Sequence, residues 1–325
     1  MSITSQHEAV QRSAGIFDFS ERGKVRVEGP DHVSFLHSMI SHDVELLGLH
    51  AGRYATFLTH KGRLICDFCF YKFARSILID LDPGRAPTLV ESLSRFIIMD
   101  DVEVSDHSHL WAHLSVQGPL ATEILEQIVA GSVPCERYQV QEVPSMEALV
   151  VNKPELAETG YEIFLPRGSG QACLTRILSE FASRGVVKVD DETRNVLRLE
   201  RGIPCVGVDM DESNYPMEAG LEEAISLDKG CFVGQEVVAK ATYIGGVRRR
   251  LGKLLFSAGS PVPAAGAKVI KNEKEAGAVT SAVHSIRLQR PIALAYLIQA
   301  RARSGDEVTV LIKGDSVRAR VVDSF

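Results

Sequence analysis

The sequence contains no long uninterrupted apolar segment. No run approaches the ~20 apolar residues that a helix needs to cross a bilayer. At 45% hydrophobic and 24% charged residues, the composition is that of an ordinary globular protein. The first residues, 1–11, are polar and lack the apolar stretch of a signal peptide. We therefore expect a cytoplasmic protein that does not interact with membranes.

Cysteine is also scarce. The six cysteines are scattered over 325 residues, so they form no disulfide framework and are typical of free thiols in a reducing compartment. Cys66 and Cys69 have the spacing of a metal knuckle. In a strand, however, residues three apart point to opposite faces, and a structural zinc needs four ligands. We predict no metal site at this pair.

A second pattern that is able to bind metal occurs in residues 102–116, which we predict to be one extended segment. His107, His109 and His113 have the same parity there as Trp111, so in a single strand they share a face. Three histidines on one face can bind zinc, but surface and turn histidines are commoner. We predict no metal site here either.

Length and charge together indicate two domains. A chain of 325 residues exceeds the roughly 250–300 residues at which one hydrophobic core stops growing. From Gly245 onward there are 14 Lys/Arg against 6 Asp/Glu, whereas the rest of the chain has 22 against 36. We place the domains at residues 1–242 and 243–325. The basic part is able to attract an anionic ligand tail, an acidic protein or nucleic acid, of which we expect nucleic acid least. The commoner explanation of such a charge excess is a solvated surface, and we prefer it here.

Hydrophobic periodicity predicts the α+β class. Amphipathic helices are predicted to begin near residue 30 and over residues 87–99, 119–129, 171–183, 192–200, 217–225 and 235–240. Strands are predicted at residues 24–28, 54–58, 63–71, 78–81 and 159–166. After Lys240, short strands separated by Gly and Pro predict a small antiparallel β-barrel.

Residues 228–236, which read DKGCFVGQE, combine several rare choices. Gly230 and Gly234 bracket Cys231, and the helix predicted from Gln235 and Glu236 follows at once. A helix start and the nearby Lys229 both favour a thiolate, the form that attacks electrophiles. We predict that Cys231 is a reactive residue assisted by Lys229, with the glycines and the Gln-Glu pair as supporting positions. The alternative is a buried cysteine in a tight turn.

This motif resembles that of the YgfZ-type folate-binding proteins, which belong to the superfamily of the glycine-cleavage T-protein, an aminomethyltransferase. Four further segments are similar to signposts of that superfamily and occur in the same order. They are residues 14–18 (AGIFD), 117–119 (QGP), 160–162 (GYE) and 293–296 (ALAY). The resemblance implies α+β lobes in a cloverleaf around a channel, followed by a C-terminal barrel. It also implies tetrahydrofolate, or a one-carbon derivative of it, as the cofactor.

The same resemblance implies roles for individual residues. Glu162 takes the position of the carboxylate that binds the pterin, whose adjacent N–H groups a carboxylate accepts naturally. Arg194, Tyr54 and Asp67 also match positions of the T-protein's folate site. The first aspartate of the T-protein's Asp-Asp pair, assigned to catalysis, is Cys66 in this chain.

A second departure follows in the next strand, where Asp80 stands in place of the T-protein's typical asparagine. Three functions are left open by these differences. The chain is a folate-dependent accessory factor for iron–sulfur cluster assembly or repair, a transferase that moves a one-carbon unit to tetrahydrofolate, or a scaffold without chemistry. We predict the first, with reduced folate and iron–sulfur assembly or client proteins as partners. We predict negligible aminomethyltransferase activity, so whether the chain is an enzyme stays open.

Overall fold

The computed structural model describes residues 1–241 and 246–325, which form two compact units. The first unit contains residues 1–57, 66–194 and 223–233. The second contains residues 58–65, 195–222 and the chain from Gly234 onward. Short segments from the middle of the chain therefore belong to the same unit as the C-terminal strands. The predicted boundary between residues 242 and 243 lies outside the described residues.

Most helices fall close to their predicted positions, but the helix predicted over residues 217–225 is too long. It ends at Ala219, because Gly220 has a φ of +79°, and a separate 3-10 turn (Glu222–Ala224) follows. The helices are α1 (Ile3–Arg12), α2 (His32–Met39), α3 (Ala86–Ser94), α4 (Ala121–Val129), α5 (Gly170–Glu180), α6 (Asp191–Glu200), α7 (Pro216–Ala219) and α8 (Gln235–Lys240). The sequence did not indicate α1. The helix predicted over residues 87–99 is too long, because the chain tightens into three-residue turns after Ser94. Ile98 and Met99 are then almost fully exposed.

The first unit contains two sheets. One has the order β11-β1-β7-β10-β9-β8, in which β1 and β11 are parallel and the other recorded pairs antiparallel. Its strands are β1 (Gly15–Asp18), β7 (Trp111–Gln117), β8 (Val140–Val143), β9 (Ala148–Asn152), β10 (Gly160–Pro166) and β11 (Val187–Lys188). The other sheet has the order β3-β4-β5-β2-β6. Its strands are β2 (Gly23–Glu28), β3 (Ala51–Leu58), β4 (Leu64–Lys72), β5 (Ser76–Leu81) and β6 (Glu103–Asp106).

The first unit contains separate clusters of buried apolar residues. One face of the six-stranded sheet is covered by apolar residues of α4 and α5, such as Ile124 and Ile177. A separate cluster joins Cys69 and Tyr71 of β4 with Phe164 of β10. Because residues of a strand alternate between faces, Glu162 and Phe164 share the face of β10 that carries this second cluster.

The second unit contains the predicted barrel, which is closed and six-stranded in the order β12-β15-β14-β13-β16-β17. Its strands are β12 (Arg249–Phe256), β13 (Lys268–Lys271), β14 (Lys274–Ser285), β15 (Arg290–Ile298), β16 (Glu307–Ile312) and β17 (Asp315–Val322). Inward residues such as Leu254, Val279 and Val310 form its core. The α+β class and the C-terminal antiparallel barrel are thus confirmed.

The extended segment predicted over residues 102–116 is wrong. The chain forms β6, a single 3-10 turn (Ser108–Leu110) and then β7. Asp106 starts the turn by accepting hydrogen bonds from the amide and the hydroxyl of Ser108. The turn breaks the parity that was to align the histidines. His113 alone of the three is fully buried.

Candidate functional site

Glu162 occupies the middle of β10 and is completely buried. Its Oε2 lies 2.5 Å from Nε2 of His113 on the neighbouring strand β7. Its Oε1 has no hydrogen-bond partner among the described residues. Burial raises the pKa of Glu162 to about 8, although the nearby Lys153 ammonium opposes this. A buried polar atom without a partner is costly, so Oε1 marks a position where a ligand donor would be stabilised.

A second buried carboxylate, Asp80 of β5, is surrounded by cations. Its oxygens lie 3.1 Å from Nε of Arg22, 3.0 Å from Nζ of Lys24 and 3.8 Å from Nζ of Lys153. Burial alone would raise the pKa of Asp80, but Arg22 and Lys24 hold it well below its usual range. Asp80 is therefore ionised. Asp80 stands where T-proteins have an asparagine, so it adds a buried negative charge. The three cations around it compensate for that charge.

Asp67 and Tyr54 form a pair on the adjacent strands β4 and β3. The hydroxyl of Tyr54 donates to Oδ2 of Asp67 at 2.5 Å, and the buried Oδ1 has no partner among the described residues. Burial raises the pKa of Asp67 to about 6, while the Tyr54 hydrogen bond lowers it. Such a carboxyl gains or loses a proton near neutral pH, as a general acid or base must.

Cys66 directly precedes Asp67 in the sequence, but the two side chains have different surroundings. It is fully buried, and burial raises its thiol pKa. Successive side chains of a strand point to opposite faces, so Cys66 and Asp67 leave β4 on different sides. The hydrogen bond from Tyr54 goes to Asp67. The residue that replaces the T-protein's first aspartate therefore lies outside this pair.

Aromatic rings line the region beside Glu162. The imidazole of His113 stacks on Phe164 with 4.3 Å between ring centres, and Tyr71 and Trp111 contact the same ring edge-on. The Tyr71 hydroxyl and Trp111 Nε1 also have no hydrogen-bond partner within residues 1–241 and 246–325. The sequence did signal part of this group. Trp111 and His113 share one parity on β7, as Glu162 and Phe164 do on β10.

Arg194 lies apart from Glu162 and Asp67. Its Nη2 pairs with Oδ1 of Asp191 at 3.0 Å, and its guanidinium lies 5.5 Å over the ring of Phe19. Phe19 in turn contacts His113 edge-on at 5.6 Å. Arg194 and Phe19 line a cleft of about 470 Å³ within the first unit. The predicted folate residues thus fall into neighbouring groups, with Phe19 between Arg194 and His113.

Lys229 is buried and bonded to the end of α2. Its ammonium donates to the carbonyls of His37, Ile40 and His42, of which the last two are 2.7 and 3.2 Å away. Burial lowers the pKa of Lys229 to about 8. A helix leaves its last carbonyls without partners, and Lys229 satisfies carbonyls at this end. Cys231 is exposed. Its predicted reactivity, with Lys229 as its helper, stays a prediction.

The two glycines of the motif have different roles. Gly234 has a φ of +84°, and a Cβ there would lie 2.7 Å from the Thr59 carbonyl oxygen. Only glycine fits that close approach without strain. Gly230 meets no such restriction. Gln235 and Glu236 begin the six-residue helix α8, and their supporting role likewise stays a prediction.

No helix within residues 1–241 and 246–325 is long and apolar enough to span a bilayer. Within the same residues, no three or more His, Cys, Asp or Glu side chains are grouped so as to hold a metal ion. The cytoplasmic location stays a prediction.

Comparisons with known proteins identify the family. Residues 1–229 match the GCVT N-terminal domain, and residues 249–325 match the glycine cleavage T-protein C-terminal barrel domain. The chain is 32% identical over 330 residues to an aminomethyltransferase of Rubrobacter xylanophilus, covering 98% of this chain and 85% of that protein. It is 28% identical to an aminomethyltransferase of Caldanaerobacter subterraneus, covering 99% and 87%.

A solved structure agrees with these relatives. The glycine cleavage system aminomethyltransferase T of Bartonella henselae superposes with a TM-score of 0.90 at 25% identity, covering 99% of this chain and 88% of that one. The chain belongs to the glycine cleavage T-protein family, and its T-protein-like fold is confirmed. The expected cofactor, tetrahydrofolate or a one-carbon derivative, is confirmed at the level of this family.

The same comparisons correct the predicted function. The relatives named above are called aminomethyltransferases, and none of them points to the YgfZ branch. The prediction of an accessory factor for iron–sulfur cluster assembly or repair, with iron–sulfur proteins as partners, is wrong on this ground. It gave too much weight to the motif around Cys231 and to Cys66. The carboxyl that is hydrogen-bonded to Tyr54 is still present, as Asp67.

Proposed function

We propose that this member of the T-protein family is an aminomethyltransferase that passes a one-carbon unit from an aminomethyl donor to tetrahydrofolate. The observation that carries the proposal is the buried oxygen Oδ1 of Asp67. It has no partner among the described residues, while Tyr54 fixes the other oxygen of the same carboxyl. The names of the full-length relatives support the same reaction.

The residues around Glu162 fit a reduced folate. A pterin is flat and polar at its edges, and the first unit offers the aromatic rings of Tyr71, Trp111 and Phe164. It also offers hydrogen-bonding atoms that lack partners in the described residues, namely Glu162 Oε1, Tyr71 Oη and Trp111 Nε1. Aromatic walls with a few convergent polar groups are typical of small-molecule sites. Glu162 would accept the N–H groups of the pterin.

Asp67 has the properties of the proton-handling group. Tetrahydrofolate supplies the ring nitrogen that takes up the one-carbon unit. Asp67, with its pKa raised to about 6, is largely ionised at neutral pH and is able to accept a proton lost at that nitrogen. Tyr54 holds the carboxyl in one orientation, which leaves Oδ1 for this task. Well-placed general bases contribute about 10²–10⁴-fold to a rate.

Cys66 does not decide the question, although we predicted from it that transfer would be negligible. That prediction assumed that the first residue of the pair performs the chemistry. The structure supports the second residue instead, because Tyr54 bonds to Asp67 and burial brings the Asp67 pKa close to neutrality. The burial-raised pKa of the Cys66 thiol makes it a poor base at neutral pH.

The test is an assay of one-carbon transfer from an aminomethyl-loaded carrier protein to tetrahydrofolate. We expect turnover by the wild type, and a fall of kcat by about 10²–10⁴-fold in Asp67→Asn. The dissociation constant for tetrahydrofolate, measured separately, should change much less. Cys66→Ala is the neighbouring control, and it should keep a kcat close to that of the wild type. A wild type that binds tetrahydrofolate but gives no transfer would overturn the proposal.

A further inference from the structure

We propose that His113 is a positioning residue of the reduced-folate site, which holds one oxygen of Glu162 and keeps the other oxygen free for the ligand. The inference rests on the proposed function, because it takes Glu162 as the ligand's partner. It adds a residue that the resemblance to T-proteins did not indicate. It also predicts how ligand binding depends on pH.

Two aromatic rings hold the imidazole of His113. Phe164 stacks on it with 4.3 Å between ring centres and 24° between planes. Phe19 meets it edge-on at 5.6 Å. The side chain is also completely buried, which restricts its orientation. Its Nε2 faces Oε2 of Glu162 at 2.5 Å. The short contact therefore defines the position of the carboxyl group.

The register of the strands explains why only one oxygen is taken. His113 lies opposite Phe164, and Glu162 lies opposite Ser115. His113 and Glu162 are thus diagonal neighbours, which long side chains reach across a sheet. A single ring nitrogen approaches the carboxyl from one side. Oε1 stays buried and has no hydrogen-bond partner within the described residues, as a ligand-binding atom would before its ligand arrives.

The other ring nitrogen indicates where the proton lies. Nδ1 of His113 is 3.6 Å from Oδ1 of Asp80, too far for a hydrogen bond but close enough to feel its charge. A negative charge on that side favours a proton on Nδ1. A neutral imidazole then has an unprotonated Nε2, which accepts a hydrogen bond from protonated Glu162. This assignment agrees with the raised pKa of Glu162 and the lowered pKa of His113.

Other charged side chains lie around the pair. Lys24 on β2 and Arg22 just before it face the pair, as does Lys153 after β9. These cations lower the pKa values of both members of the pair. Asp80 and Glu155 act in the opposite direction on Glu162. The cations are themselves ion-paired with Asp80, and burial is the largest cause of the pKa shifts of both Glu162 and His113.

Ligand binding then releases one proton. A carboxylate accepts the N–H groups of a pterin better than a protonated carboxyl does. On binding, Glu162 becomes ionised while the imidazole of His113 stays neutral and donates to it from Nε2, so one proton is lost to solvent in total. The affinity for tetrahydrofolate should therefore rise as the pH increases towards about 8, the pKa of Glu162, and be constant above it.

The experiment measures the dissociation constant of tetrahydrofolate by anaerobic titration between pH 6 and 9. His113→Leu removes the contact, and we expect binding at least tenfold weaker at pH 8, with the pH dependence displaced. His113→Gln keeps an N–H near the position of Nε2. It should restore most of the affinity at pH 8. Its pH dependence should still differ from the wild type, because an amide cannot take up a proton.

His32→Leu is the matched control. His32 is another buried histidine, which bonds through Nδ1 to the Gly29 carbonyl and leaves Nε2 without a partner in the described residues. It should lose thermal stability without any change in the pH dependence of binding. Unchanged affinity and pH dependence in both His113 variants, or the same change in His32→Leu, would overturn the inference. If His113→Leu does not fold, His113→Gln alone decides.

The two proposals fail separately. If tetrahydrofolate binds with the expected pH dependence but no transfer occurs, the role of His113 stands and the proposed reaction is wrong. If transfer occurs and the His113 variants bind with the wild-type pH profile, His113 is a core residue and the reaction stands.

Discussion

Asp67 and Glu162, two carboxyl groups of the first unit, differ both in their partners and in their exposure, because Glu162 is completely buried and Asp67 is partly exposed. The pKa of Asp67 is raised to about 6 and that of Glu162 to about 8, each chiefly by desolvation. Asp67 receives a hydrogen bond from a neutral tyrosine hydroxyl, which favours its charged form. Glu162 faces an imidazole that accepts or donates. Asp67 is thus suited to act as a base at pH 7. Glu162 is suited to hold a proton until a ligand binds.

Such a divergence between two carboxyls is a familiar way of assigning acid and base roles within one site. It also separates binding from chemistry. Variants of Glu162 should act mainly on the affinity for reduced folate, and variants of Asp67 mainly on the rate of transfer. The following predictions test whether the two groups do differ in this way.

The largest effect is expected for stability in Glu162→Gln. Because the folded pKa of Glu162 lies above its usual value, the folded state holds more protons than the unfolded state from about pH 4.5 to 8. The wild type therefore loses stability as the pH rises through this window. Glutamine cannot ionise. The free energy of unfolding of the variant, relative to that of the wild type, should therefore increase by about 2–5 kcal/mol between pH 4 and pH 9. Denaturant unfolding at several pH values measures this. A constant difference would show that the pKa of Glu162 is the same in the folded and the unfolded protein.

Asp67→Asn should show the same sign in a different window. The raised pKa of Asp67 makes the wild type lose stability from about pH 4 to 6, and no further above that. Asp67 is partly exposed, so solvent reduces the effect, and we expect a relative gain of about 1–2 kcal/mol in the variant. The same unfolding series measures it. If the gain continued up to pH 8, the two carboxyls would not be distinct.

Different parts of this site were accessible from the sequence to different degrees. Glu162 was predicted as a ligand residue because residues 160–162 (GYE) match the family, and Tyr54 and Asp67 were predicted because they match family positions as well. His113 was grouped with the wrong histidines, because nothing in residues 102–116 indicated that Ser108 would start a 3-10 turn. The predicted pattern of helices and barrel strands was largely right, since periodicity reports burial directly.

The role of Lys229 was less accessible. Its position two residues before Cys231 indicated an electrostatic partner, but its ammonium extends to carbonyls at the end of α2, about 190 residues earlier in the chain. The ion pair between Lys24 and Asp80 was missed for a similar reason. The two residues become neighbours only through the register of β2 and β5. The spacing of residues along the chain does not predict contacts between distant strands.

The smallest effect, and the most specific, is expected for Tyr54→Phe. The Tyr54 hydroxyl lowers the pKa of Asp67 through its hydrogen bond, against the stronger effect of burial. Its loss should move the Asp67 pKa further up, by about one unit or less for one neutral hydrogen bond. The acid limb of the transfer rate against pH should shift by the same amount, since only ionised Asp67 accepts the proton. We expect a severalfold lower rate at pH 6.5 and little change at pH 8.5. Tyr161→Phe is the control, because its hydroxyl contacts Thr122 in the other core of the unit. A limb that stays in place in Tyr54→Phe, or that shifts equally in the control, would remove Asp67 from the proton-transfer step and leave it as a binding residue like Glu162.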